Sequence, residues 1–484
     1  MGRGMLLLTL ANVVFVASGY VLTVWLARLL GPASYALYGL ATGVVTVVQL
    51  LVARGVPVAA TADIAAEPAH ARPILAAAAR GTALAALVSG VVALALAVPL
   101  ALLFGDAPEL RACLAIAAAG AITYGVQAVL LALVNGQQRF GRQAAAHVWY
   151  SAVRLVTVVA GGATTGARGA VAGFVLAPLL AAPALITRIA APVPSAAASV
   201  VPSGAATAVP SATAVPSAAA VPSATAYLRR SLPLVAGAGA IALLLLIDAF
   251  AYARVAGDAA TGRYFAAGTI AHVPFFLLGS APLVLLPSIA AGKLAGRAQQ
   301  AADLRAGMTS AWALLAFPAL ALAACGDALL PVLLGSEYAI DQPVVLWLTL
   351  AKVGIAIHAT ALAVDTARGE LRTAVGLGLG GVIGIAAAAT IGAETAGAQG
   401  AAIGTLLVAS ALGAVHLASL RCAFGPFLAW RSIAAIALLA ALFSLPPWLL
   451  RTNDLALLGA LAACGVIYLA AVTRLGWLSL RSPA

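Results

Sequence analysis

Residues 166–173 read GARGAVAG, and residues 397–404 read GAQGAAIG. Glycine holds the first, fourth and eighth places in both. Each octet opens an apolar stretch, 168–190 or 398–420, and each follows another, 144–163 or 372–392. Outward from the octets, further pairs appear in the same order. Arg28-x2-Gly31-x6-Tyr38 returns as Arg254-x2-Gly257-x6-Tyr264, and the basic pair Arg139-x2-Arg142 as Arg368-x3-Arg372. The offsets, 226 residues for the first pair and 231 for the octets, are nearly constant. An ordered set at one offset is an internal repeat.

The solvent of that repeat follows from composition. The chain is 64% hydrophobic and 8% charged, where soluble domains run to about 45–50% apolar and about 25% charged. Lipid must cover this surface. The apolar stretches lack period-2 alternation, which excludes a membrane β-barrel, and they suit helices crossing a hydrocarbon core of ~30 Å. The reading is an all-α polytopic membrane protein of fourteen helices, at 5–27, 35–60, 74–104, 112–134, 144–163, 168–190, 232–255, 264–291, 306–330, 343–365, 372–392, 398–420, 430–450 and 454–474. The first is too long for the apolar region of a cleaved signal and reads as a retained helix.

An even count puts both termini on one side. With that side cytoplasmic, inside loops hold most of the Lys and Arg, among them Arg139, Arg142, Arg229, Arg230, Lys293, Arg297 and Arg305. Only Arg28, Arg111, Arg168, Arg254, Arg263 and Arg451 fall outside. The positive-inside rule supports this orientation in a cell inner membrane. It also accounts for the net charge of +12 without nucleic acid. Six spans per repeat make the two copies parallel. The expected domains are a six-helix lobe at 1–190, a linker at 191–231, a second six-helix lobe at 232–420, and two further helices with a tail at 421–484. The linker repeats Val-Pro-Ser amid Ala and Thr, first at 193–195 and last at 221–223. Its prolines forbid a continuous helix and predict a disordered cytoplasmic tether.

Several segments resemble the multidrug, oligosaccharidyl-lipid and polysaccharide exporter superfamily, and within it the Wzx-type polysaccharide flippases. They are Leu29-Leu30-Gly31-Pro32 with Tyr38-Gly39, Arg54-Gly55, Asn135-Gly136-Gln137-Gln138-Arg139-Phe140, Ile247-Asp248, Gly262-Arg263-Tyr264-Phe265-Ala266-Ala267, and Leu333-Leu334-Gly335-Ser336-Glu337-Tyr338. The resemblance implies a two-lobed, fourteen-helix flippase without ATP hydrolysis. Its partners would be membrane lipids and a polyprenyl-pyrophosphate-linked oligosaccharide, the glycan precursor it carries. The resemblance leaves open the coupling ion, H+ or Na+, the particular glycan and the oligomeric state. It covers most of the chain outside 191–226; the Val-Pro-Ser linker is not a family feature.

Ionisable groups at mid-bilayer cost about 2.5–3.5 kcal/mol on insertion scales, so each one within a span needs a reason. Arg154 lies deep in the fifth span. His147, Ser151 and Arg154 share a helical face, either lining a substrate cavity or bonding a neighbouring helix. Arg54 and Arg28 sit near span ends, where snorkelling competes with substrate contact. Asp248, in the seventh span, is a candidate for ion coupling, or else a partner for Arg254 or a first-lobe arginine. Lys352 is deep in the tenth span and is a further substrate candidate. His358 and Asp365 share another face of that helix, and Asp365 is either an ion-coupling group or a snorkelling end residue. His272 and His416 read as satisfied core histidines. Pro274, Pro282 and Pro287 in the eighth span fit a bent gating helix or a static kink.

The four cysteines form no CxxC pair, so a zinc or thioredoxin-like motif of that kind is excluded. No GxxxxGK[ST], HExxH or GxSxG occurs, which leaves no motif for those chemistries. The expectation is therefore a transporter rather than an enzyme, with no metal or organic cofactor. Two alternatives compete: a drug or small-metabolite exporter of the same superfamily, and a membrane glycan polymerase or ligase. The latter would need a sizeable outside loop, and the loops here are short.

Overall fold

The computed structural model describes residues 2–67, 70–104, 108–137, 139–189, 222–278, 297–368 and 370–477. Among them the regular structure is helical throughout. In chain order the α-helices are α1 (Gly2–Ala53), α2 (Val56–Ala66), α3 (Ala71–Leu103), α4 (Pro108–Gly136), α5 (Phe140–Ile189), α6 (Ala224–Ala253), α7 (Asp258–Ala271), α8 (Val273–Leu278), α9 (Arg297–Leu334), α10 (Gln342–Arg368), α11 (Leu371–Phe424), α12 (Trp430–Leu449) and α13 (Asp454–Arg474). Ten described stretches are long and apolar enough to cross a membrane. The protein is a multi-pass membrane protein.

Three helices are too long for one crossing. α1, α5 and α11 have 52, 50 and 54 residues, or about 75–80 Å at 1.5 Å per residue. Each breaks internally at a glycine. Gly31 adopts φ 68° in α1. Thr165 and Gly166 leave helical geometry in α5, and Ala396 and Gly397 do so in α11. The positive φ at these glycines is a conformation that a Cβ would penalise. Each break coincides with an expected inter-span turn. The expected eighth span, 264–291, begins as α7 and α8, offset at His272 just before Pro274. Its remainder, with Pro282 and Pro287, lies outside the described residues.

Both α5 and α11 fold into hairpins whose arms meet backbone to backbone. A Cβ added at Gly161 would overlap the Gly169 carbonyl, and one at Gly173 the Thr157 carbonyl. In α11 the corresponding overlaps are Gly392 with Gly400 and Gly404 with Ala388. Small residues permit this approach, and in lipid such close packing replaces the hydrophobic drive as the source of helix association.

The described residues group into two compact units that divide within α6, one through Ala242 and the other from Leu243. In the first unit α6 starts at Ala224, inside the stretch expected as linker (191–231). After the last Val-Pro-Ser proline nothing forbids a helix, and Ser223 Oγ accepts from the Ala226 N–H at 3.2 Å as an N-cap. Tyr227 then donates to Asp63 of α2 at 2.8 Å, and Arg230 pairs with the same carboxylate at 3.0 Å. Residues 191–221 of the expected linker lie outside the described residues.

In the second unit the two final helices pack on α9. Phe317 stacks on Tyr468 with centroids 5.3 Å apart, and the Tyr468 hydroxyl donates to the Ala313 carbonyl at 2.8 Å. Their outer faces carry exposed Leu438, Leu455 and Val466, as lipid contact requires. At the end of α12, the Arg451 guanidinium covers the Trp448 ring at 5.2 Å, a pairing suited to the interface.

Candidate functional site

In the first unit the polar centre forms between α1 and the first arm of α5. Arg154 is 7% exposed. Its guanidinium lies over the Phe15 ring at 4.5 Å and the Tyr150 ring at 5.7 Å. It donates to Ser18 Oγ at 3.3 Å and to the Phe15 carbonyl at 3.4 Å, both long bonds, while its Nε has no partner. A guanidinium carries five N–H donors, and the Nε–H of this one is unspent. No described carboxylate forms an ion pair with it.

The surrounding side chains are aromatic and hydroxylated. His147 meets the Phe15 ring edge-on at 6.2 Å, and Tyr150 stacks on it at 6.1 Å. Tyr150 also shares a 2.9 Å hydrogen bond with Tyr124 of α4. Ser151 bonds its own helix, donating to the His147 carbonyl. The site therefore offers a cation held by ring faces rather than by a counter-ion. That arrangement leaves the charge available to an incoming anion.

In the second unit one buried cation is compensated. Lys352 on α10 is fully buried and lies 3.1 Å from Asp248 of α6, itself 2% exposed. The ammonium also donates to the Leu245 carbonyl at 2.9 Å, and His272 Nε2 reaches the same oxygen at 3.0 Å. Farther along α10, His358 Nδ1 lies 2.9 Å from His416 Nδ1, with Asp365 at 3.9 Å from His416 Nε2.

A family model described as polysaccharide biosynthesis protein matches residues 1–293, more than half of the chain. The chain belongs to that family. No curated relative matches its sequence. Among solved structures, its fold is similar to the lipid II flippase MurJ in an inward closed conformation, with TM-score 0.71, 13% identity, and coverage of 97% of this chain and 99% of that one. It is also similar to an inward-facing multidrug resistance MATE family transporter of the MOP superfamily, with TM-score 0.63, 14% identity and coverage of 86% and 98%. A third is a MOP superfamily transporter from Pyrococcus furiosus, described as having a binding pocket of reverse polarity that suggests a different function, with TM-score 0.52, 16% identity and coverage of 88% and 96%. At these identities the likeness is one of fold.

Among this family member's candidate residues, Arg154 and His147 gather around one ring. Arg54 and Arg28 do not join them. Both are exposed, and the second arm of α1 separates them, about 33 Å of helix at 1.5 Å per residue. Asp248 pairs with Lys352 rather than with Arg254, which is itself exposed. Asp365 faces a histidine, and His416 is one of a pair rather than a satisfied core residue on its own. Sequence reasoning missed Phe15, Ser18, Tyr124 and Tyr150. Tyr150 carried a usable signal, lying one helical turn before Arg154; Phe15 is one apolar residue in an apolar helix.

Proposed function

We propose that this protein is a flippase that carries a polyprenyl-pyrophosphate-linked oligosaccharide, a polysaccharide precursor, across the cytoplasmic membrane by alternating access. Arg154 carries this reading. A pyrophosphate brings several negative charges, and burying them without fixed positive groups is prohibitive. A buried guanidinium with no counter-ion among the described residues offers bidentate, charge-assisted hydrogen bonds at low desolvation cost to itself. The family and the lipid II flippase fold support the same class of substrate. A cationic drug would meet like charge at Arg154, so drug export fits less well.

Arg154→Ala should reduce glycan export at least about a hundredfold, the scale of losing one strong charge-assisted contact, while membrane abundance stays within twofold. Lipid-linked precursor should accumulate in the same cells. Normal export at normal abundance would refute the reading. The proposed orientation has both termini cytoplasmic. In a background with the native cysteines silenced, Ser211→Cys should then react only with membrane-permeant thiol reagents, and labelling by an impermeant reagent in intact cells would reverse the topology.

A further inference from the structure

The turn between α4 and α5 is fixed by its backbone. The Gln137 N–H donates to the Leu133 carbonyl at 3.0 Å, and the Arg139 N–H to the Val134 carbonyl at 3.1 Å. The Arg139 carbonyl then accepts from the Arg142 and Gln143 N–H groups at 2.9 and 3.1 Å, which starts α5. Gly136 presses on α2, where an added Cβ would meet the Ile64 side chain at 2.6 Å and the Thr61 carbonyl at 3.1 Å. The side chains of this turn stand on a rigid frame.

Arg139 and Arg142 are both half-buried on that frame. An interfacial arginine ordinarily snorkels, with its stem in lipid and its head in water. These two do otherwise: the Nη1 of each is buried and has no partner. Neither forms an ion pair with a described carboxylate. The nearby acids are taken, Asp63 by Tyr227 and Arg230, and Glu67 by His70 at 3.2 Å. Burial lowers the pKa of Arg139 from its ordinary value, and the Arg142 charge lowers it further. A guanidinium nevertheless keeps its proton, so two cations are held near each other with donors unspent. Asn135 Oδ1 and Gln137 Oε1, at the same turn, are also buried without partners, and a half-turn of either amide puts an N–H in that place. Buried polar atoms left unpaired in such number need a cause.

We propose that the α4–α5 turn binds the phosphate group of an anionic membrane lipid, held by Arg139 and Arg142 with the Asn135 and Gln137 amides beside them. A phosphate supplies what the turn lacks, negative charge and several acceptor lone pairs, and guanidinium donors meet it in charge-assisted hydrogen bonds. The positive end of α5 adds to the attraction. The approach is open, since a Cβ added at Gly141 would meet nothing within 4 Å. The lipid source follows from the surroundings. The turn lies where two apolar spans end. Phe140, between the arginines, is exposed, as are Val148 and Trp149 farther along α5. They form an apolar flank for acyl chains that a free phosphate would not use. The site is separate from Arg154, which lies twelve residues beyond Arg142, or about 18 Å along α5.

For the test, the full chain is purified in detergent and titrated with phosphatidylglycerol, and bound lipid is counted by native mass spectrometry. Arg139→Gln combined with Arg142→Gln should weaken the tightest-bound lipid at least about tenfold, the scale of losing two contacts to a charged group. Arg72→Gln combined with Arg229→Gln removes the same charge from two exposed arginines and should leave that lipid in place. Equal weakening in both double variants would reveal diffuse attraction and overturn the site. Melting temperatures taken without lipid show which variants are folded. Where the glutamine pair is not, Arg139→Lys combined with Arg142→Lys decides. An ammonium lacks the planar fork, so binding should weaken several-fold, and unweakened binding would overturn the assignment.

Two competitors identify the source. Neither inorganic phosphate nor zwitterionic phosphatidylcholine should displace the lipid. Displacement by inorganic phosphate at matched concentration would make the occupant a free anion, and displacement by phosphatidylcholine would remove the demand for negative charge; either overturns the proposal. Binding is measured and transport is not, so the outcome is independent of the flippase reading.

Discussion

The two long hairpins turn through almost the same dihedral angles: −136°, 23° and 64°, −142° at Thr165 and Gly166, against −141°, 26° and 58°, −139° at Ala396 and Gly397. Their backbone-to-backbone glycine contacts correspond, Gly161 with Gly169 to Gly392 with Gly400 and Gly173 with Thr157 to Gly404 with Ala388. Their buried chemistry does not. At the place in α11 that matches Arg154, 231 residues on, stands Ile385, fully buried. Thr157, which donates across the first hairpin to the Gly173 carbonyl at 2.9 Å, is matched by Ala388. The second unit carries a buried cation elsewhere, in the neutralised pair Lys352–Asp248. Backbone contact therefore suffices to build the hairpin, and the side chains within it are left to take on separate tasks. An unpaired cation in one unit and a compensated pair in the other should respond to mutation in opposite ways.

The largest expected effect is on the pair. Lys352→Met leaves Asp248 buried and alone, which should cost about 3–5 kcal/mol, whereas the double variant with Asp248→Leu should recover most of it. Thermal unfolding in detergent would show this, and equal losses in the single and double variants would erase the contrast with Arg154. The glycine seams come next. Gly161→Ala and Gly392→Ala each force a methyl into backbone and should each cost about 1–3 kcal/mol; a large loss in one hairpin and none in the other would mean that the shared turn does not imply shared energetics. Arg154→Lys keeps the charge but loses the planar fork. It should slow export about tenfold, or ~1.4 kcal/mol, at unchanged melting temperature, and full activity would show that only a point charge is needed. The smallest effect tests a cross-arm bond of the first hairpin, Thr157 to the Gly173 carbonyl, that Ala388 cannot make in the second. Thr157→Val should lower stability by about 0.5–1.5 kcal/mol, as seen in the same melts, and no change would make the first hairpin as indifferent to its side chains as the second.

The parts legible in the sequence are those encoded locally. Span positions follow from runs of apolar residues, and the hairpin turns from glycine octets that carry their own geometry. The shared face of His147, Ser151 and Arg154 follows from helical period alone. Pairings between distant segments are not encoded this way. Lys352 and Asp248 lie 104 residues apart, and His358 and His416 lie 58 apart. The sequence offers Arg254 or a first-lobe arginine as a partner for Asp248, yet the packing of α6 against α10 makes it Lys352. The helical start of α6 was hidden for a related reason. Its capping Ser223 belongs to the last Val-Pro-Ser triplet, and composition averaged over the linker conceals where the prolines stop.

The short turns of α5 and α11 also bear on biosynthesis. Arm-to-arm contacts such as Gly161 with Gly169 span few residues, so closing each hairpin carries little loop entropy. Each is expected to leave the insertion machinery as a finished pair of crossings soon after its own second arm has been translated. A nascent chain stalled once residue 189 has cleared the ribosome should already protect the 157–173 seam from crosslinking to lipid, whereas His358 must wait for the second arm of α11 to emerge before it finds His416.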